Sequence, residues 1–197
     1  MAGSFTEEIA AAAARLVVED GMEYGPAKRR AAKLLGLRSG DGDMPDNDLL
    51  EDEVRSYLAV FCADSQPREL AALRALAIVW MERLAVFRPH LTGAVWRGTA
   101  TRHNDIQLEL YCDDSKAAEI SLIDNRVDYE VSSQTGPRGQ PVDVLTIMAS
   151  SRDLGQRVAL HLSVLDYDDL RGALRADTRG RAPRGDLAAV RALVTPT

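Results

Sequence analysis

Asp105, Gln107 and Glu109 alternate with Ile106, Leu108 and Leu110 in one run of the chain. Period two is that of a half-buried strand, so the three polar side chains share a face. Acids two apart on such a face can hold divalent ions between them. Here the middle position is an amide. Each two-residue step advances about 6.6 Å along a strand, so Glu109 stands too far along to replace a carboxylate at position 107. Upstream lies Gly93-Ala94-Val95-Trp96-Arg97-Gly98-Thr99. A glycine-rich turn entering a short helix lets backbone N–H groups approach a triphosphate, and the helix start favours its negative charge. Downstream, Val142-Asp143-Val144-Leu145 sets another acid between apolar residues.

In this order the three parts resemble the signature of the nucleotidyltransferase superfamily. There a hydrophobic residue, Gly and Gly/Ser are followed, after roughly ten residues, by Asp-hydrophobic-acid-hydrophobic, with a third acid on a later strand. Arg97-Gly98-Thr99 and Asn104-Asp105 are similar to the small stand-alone, antitoxin-type members. The resemblance covers residues 90 to about 150. It implies a nucleotidyltransferase-like mixed sheet with flanking helices, and transfer of a nucleoside monophosphate from an NTP to the hydroxyl of an unidentified acceptor. It implies catalytic roles for Asp105, Gln107 and Asp143, with Asp105 and Asp143 as Mg²⁺ ligands. Gly93, Ala94, Arg97, Gly98 and Thr99 would bind the nucleotide. Two ions so held would neutralise the phosphates and align the attacking hydroxyl. The chain departs from the pattern twice. Gln107 brings no charge where the second acid belongs, and Ala94 lacks the serine hydroxyl that would contact phosphate. A second expectation follows: a decayed site on a nucleotide-binding or protein-interaction module of antitoxin-like or regulatory kind.

Other groups carry less. Asp41, Asp43, Asp46 and Asp48 lack EF-hand spacing, since Pro45, Asp46 and Asp52 fall where a ligand, glycine and glutamate belong. They read as a solvated acidic loop. Lys28, Arg29, Arg30 and Lys33 read as the wet face of an amphipathic helix. Arg175, Arg179, Arg181 and Arg184 could reach over a phosphate-binding cleft or form a solvated tail. His103 reads as a surface turn residue and Trp96 as packing the turn against the helical half, with base stacking the alternative. His90 and His161 stand in no motif, and no Ser/His/Asp arrangement, P-loop or dinucleotide fingerprint has local context.

The elements that must position these residues change character at Pro89. Before it the spacing predicts four helices: one from a Ser4–Glu7 capping box to Gly21, one opened by Pro26, one over Leu50–Phe61, and the longest over Pro67–Phe87. After it come the Asp105 strand, a short helix capped by Asp113 or Asp114, strands over Val127–Val131 and Val142–Met148 joined as a hairpin through Gly136, Pro137 and Gly139, and a strand over Val158–Leu165. A short helix from Asp168 and a terminal helix capped by Asp186 follow. The expected class is α+β: a helical region 1–88, an α+β domain 89–176, and a linker with terminal helix 177–197.

The 197 residues carry 46% hydrophobic residues and a net charge of −6, which suits a globular chain and argues against non-specific nucleic-acid binding. Cys62 and Cys112, far apart, make neither a disulfide framework nor a zinc site. Glu7 and Glu8 stand where a secretory leader has positive charge. Arg74, Glu82 and Arg83 interrupt the richest apolar stretch, so no membrane span is expected and the cytoplasm is the expected compartment.

Overall fold

A computed structural model of the chain describes residues 2–37 and 44–195, the side chains of residues 2–4 excepted. The fold is mixed α+β, with helices preceding a five-stranded mixed sheet. No described helix is long and apolar enough to cross a membrane. Two compact units are present: Met1–Arg68 with Thr99–Asn104, and Glu69–Gly98 with Asp105–Thr197.

The first unit is built on α1 (Ala2–Asp20), α2 (Tyr24–Leu34) and α3 (Asn47–Phe61). Ile9, Ala13, Leu16 and Val17 form the helical stripe of α1, and they pack with Ala27, Ala31, Leu50, Val54 and Leu58. Because α1 already begins at Ala2, Ser4 lies within the helix and not at its N-cap position. Asp46 caps α3, its carboxylate accepting from the Leu49 N–H at 2.7 Å. Asp41 and Asp43 lie outside the described residues. In the 99–104 loop the Thr101 hydroxyl donates to the Val18 carbonyl at 3.3 Å. The His103 carbonyl sits so close to Gly21 that a Cβ there would stand 2.3 Å from it. Glycine at 21 (φ +66°) thus serves both the end of α1 and this approach.

The second unit takes α4 (Gln66–Arg83) from Glu69 onward. It continues with β1 (His90–Thr92), α5 (Gly93–Arg97), β2 (Ile106–Cys112), α6 (Ala117–Asp124), β3 (Glu130–Thr135), β4 (Pro141–Ser151), β5 (Gln156–Asp166), α7 (Leu170–Ala173) and α8 (Leu187–Val194). Asp186 caps α8 by accepting from the Ala189 N–H at 2.9 Å, as its position predicts. Asp114 behaves differently from the expected cap. It bonds the Lys116 N–H at 2.9 Å, one turn ahead of α6. Val127, expected in a strand, instead closes α6: its N–H bonds the Leu122 carbonyl at 2.9 Å, with Arg126 left-handed at φ 54°. The strand therefore starts only at Glu130.

The strand order is β1-β2-β5-β4-β3, with β2 and β5 parallel and every other pair antiparallel. Alternation along the strands sorts the two faces. Ile106, Leu108, Leu110, Leu145, Ile147, Leu160 and Leu162 share one, are at most 1% exposed, and form the core. The opposite face carries Gln107, Glu109, Tyr111, Thr146, His161 and Ser163.

A polar sheet face as candidate functional site

At the centre of the polar face one row of paired residues crosses all five strands: Thr92, Gln107, His161, Thr146 and Glu130. Within it the Thr146 hydroxyl lies 2.9 Å from His161 Nδ1. On the other side of the ring His161 Nε2 lies 3.0 Å from a carboxylate oxygen of Asp105. A carboxylate can only accept, so in the neutral ring Nε2 carries the proton and Nδ1 is left to accept from the Thr146 hydroxyl. His161 and Asp105 keep 27% and 50% side-chain exposure, so the chain of three groups is open to solvent. Asp105 precedes β2 by one residue and shares the face of Gln107, which is how it meets a ring on β5.

The turn before this row is fixed by α5. Gly93 opens the helix with φ +72°, and a Cβ there would stand 3.3 Å from the side chain of Gln107, so the turn abuts that amide. Gly98 stands at the opposite end of the helix, as its left-handed C-cap (φ +85°). Arg74 completes that end by donating to the Val95 and Trp96 carbonyls at 3.1 and 3.2 Å. Gly93 and Gly98 thus do not form one cradle; only Gly93, with Ala94, lies at the N-terminal side. Arg97, in the last turn of α5, is half-buried. Thr99 belongs to the first unit and is 1% exposed, which closes its hydroxyl to a ligand.

Asp143 is not brought to Asp105. The strand β5 lies between β2 and β4, and the register sets the two acids five rows apart, which with two strand spacings is roughly 19 Å between backbones. Alternation also turns them to opposite faces: Asp105 goes with Gln107, Asp143 with Ile147 and Leu160. The expected shared magnesium site is therefore corrected. Asp143 pairs instead with Lys116 at 3.1 Å, and Lys116 also holds Glu119 at 3.1 Å, so its ammonium is shifted up, first by Glu119 and then by Asp143. Asp143 borders a cleft of about 560 Å³ at the ends of β2 and β5, together with Asp113, Asp166, Arg138 and Cys112.

Nor does the polar face fit two magnesium ions. Magnesium takes oxygen ligands, chiefly carboxylates and water, and beside Asp105 the face offers one neutral amide, Gln107, and one imidazole, His161, while Glu130 stands across the sheet on β3. Among the described residues no group of three His, Cys, Asp or Glu converges on a common point. Glu109, two residues beyond Gln107 on this face, is engaged elsewhere. Arg184 Nη1 donates to its carboxylate at 2.7 Å and to the Tyr111 hydroxyl at 3.0 Å, and that hydroxyl donates to Glu109 at 2.8 Å. Of the two readings open for the C-terminal arginines, Arg184 follows neither: it is a half-buried partner of the sheet.

A strap of chain carries Arg184 there. Leu91 and Gly185 exchange two backbone hydrogen bonds of 2.8 and 3.0 Å, and Trp96 Nε1 donates to the Ala182 carbonyl at 2.7 Å. Gly185 lies flat on the Trp96 ring, where a Cβ would stand 2.2 Å from it. Trp96 thus packs onto the C-terminal strap, where the sequence reading expected the helical half.

Sequence reasoning misses His161 and Thr146. The available signal is the polar phase of Val158-Ala159-Leu160-His161-Leu162-Ser163, but nothing local says that β5 lies beside β2. Compared with known proteins, the chain matches no protein-family model, no curated protein and no solved structure.

Proposed function

We propose that the chain is a nucleotidyltransferase-like protein that binds a nucleotide on its polar sheet face without two-magnesium transfer, a decayed form of the superfamily's site. The observation that carries this reading is the unit β1–Gly93–α5–β2. It puts a left-handed glycine at a helix start directly against Gln107, beside Asp105, in the order the resemblance implies. Against transfer stand the separation of Asp105 from Asp143 and the amide at 107. A nucleotide ligand also agrees with the cytoplasmic setting expected from the sequence.

Thermal shift with ATP, in Mg²⁺ and in EDTA, tests the reading together with a labelled-NTP transfer assay. A ligand that binds only the folded chain stabilises it by about 2.7 kcal/mol at one hundred times its Kd. Equal stabilisation in both buffers and no transfer is the expected outcome. Stabilisation that disappears in EDTA, or transfer of label, contradicts the decayed reading; no stabilisation in either buffer removes the nucleotide.

A further inference from the structure

The same face carries a second arrangement, independent of nucleotide binding. We infer that Thr146 is a nucleophile activated by His161, with Asp105 as the positioning residue, and that the face reacts with small activated acyl esters. A threonine hydroxyl is inert at its ordinary acidity and needs an adjacent base to attack a carbonyl. His161 Nδ1, 2.9 Å away, is that base. Asp105, 3.0 Å from Nε2, fixes the tautomer that leaves Nδ1 free to accept, and stabilises the imidazolium formed. The two ring nitrogens have exchanged places relative to the usual serine triad, which leaves the proton logic unchanged. Gln107, paired with His161 on β2, is the neutral amide next in the row.

The step balances without a metal or cofactor. The Thr146 oxygen bonds to the acyl carbon and its proton passes to His161 Nδ1; as the bond to the leaving oxygen breaks, that oxygen takes the proton from Nδ1 and the ring is neutral again. His161 then deprotonates water, which attacks the acyl-threonine and releases the acid, the proton returning to the Thr146 oxygen. None of the three groups lines the cleft at Asp143 or the one at His90; the threonine hydroxyl, with a single histidine as base, is matched to a small activated ester such as a simple aryl or enol ester.

The test uses the full chain and p-nitrophenyl acetate, following nitrophenolate release and locating the acetyl group by peptide mass spectrometry. The expected result is acetylation of Thr146 with turnover. Thr146→Ser should retain both, and Thr146→Val should lose both. His161→Gln should slow acylation by about 10²–10⁴-fold, the usual range for a general base. Asp105→Asn should slow it by at least about tenfold, with Asp105→Glu recovering part of the rate. Thermal unfolding of each variant shows whether the fold is intact. Release that persists in a folded Thr146→Val, or acetyl groups found only on lysines or on His161, overturns the proposal. Both outcomes leave the nucleotide reading untouched, since no nucleotide is present.

Discussion

Replacing Arg184 by Ala should unfold the second unit more readily, by an amount its surroundings set. Arg184 and Glu109 are each 18% exposed and 2.7 Å apart. An exposed pair is worth about 0–1 kcal/mol, whereas removing one member of a buried pair costs about 3–5 kcal/mol because a charge is stranded. At 18% exposure, with Tyr111 still donating to Glu109, the loss should be about 2–3 kcal/mol. For a chain of this length that lowers Tm by about 4–12 °C. The buried Nε of Arg184 has no partner among the described residues, which trims the net worth of the wild-type pair without reducing the cost of stranding Glu109. Urea unfolding followed by tryptophan fluorescence is the assay, since Trp80 and Trp96 both lie in the second unit. The comparison that isolates the mechanism is Arg184→Met with and without Glu109→Gln. If the stranded carboxylate is the cause, Glu109→Gln should recover about half the loss, so the two changes are not additive. A loss under about 0.5 kcal/mol for Arg184→Ala, or strict additivity, refutes the reasoning.

Further outcomes follow from other contacts. Gly185→Ala drives a methyl into the Trp96 ring, where 2.2 Å is available. The strap should lift, exposing Trp96 and shifting its fluorescence to the red, with a stability loss of about 1–3 kcal/mol. Burial pushes the Cys112 thiol up to about 11, the nearby Arg88 opposing the shift. Its folded pKa lies above its unfolded value of 9.0, so the folded chain holds the proton longer and stability is full below about pH 9. It should fall as pH rises from there toward about 11, and the fall should shrink in Cys112→Ala when unfolding is measured across that range. Asp46→Ala removes the α3 cap and should cost about 1 kcal/mol, read by denaturation of the first unit with circular dichroism.

The helical half was legible because each helix of the first unit carries its own stripe: Ile9, Ala13, Leu16 and Val17 announce α1 without help from elsewhere. Turn chemistry was legible too, in Asp186 as a cap and in the glycines that close the β3–β4 hairpin. Two local misreadings have local causes. Val127 is spent on closing α6, and the helix start at Ala2 leaves Ser4 inside. The site was only half legible. Asp105, Gln107 and Gly93 fall together because they lie on consecutive elements, where period two and a short helix fix their placement. Asp143 was misplaced because a strand's neighbours are chosen by the whole sheet. The later strand β5 enters between β2 and β4, and one step of register decides which face an acid meets. The same insertion puts His161 opposite Gln107, and no local pattern encodes that.

Asp105 is the residue on which the two accounts of the face give opposite signs. If it holds magnesium for a nucleotide, Asp105→Asn should abolish binding. If the face binds nucleotide without metal, a half-exposed carboxylate only repels the phosphates. Removing a charge worth at most about 1 kcal/mol should then tighten binding by up to about fivefold. Calorimetric titration of wild type and Asp105→Asn with ATP, in EDTA and in Mg²⁺, measures this directly. Measurable wild-type affinity without metal, equal or tighter in the variant, is the expected result; affinity that needs Mg²⁺ and is lost with Asp105 contradicts the account.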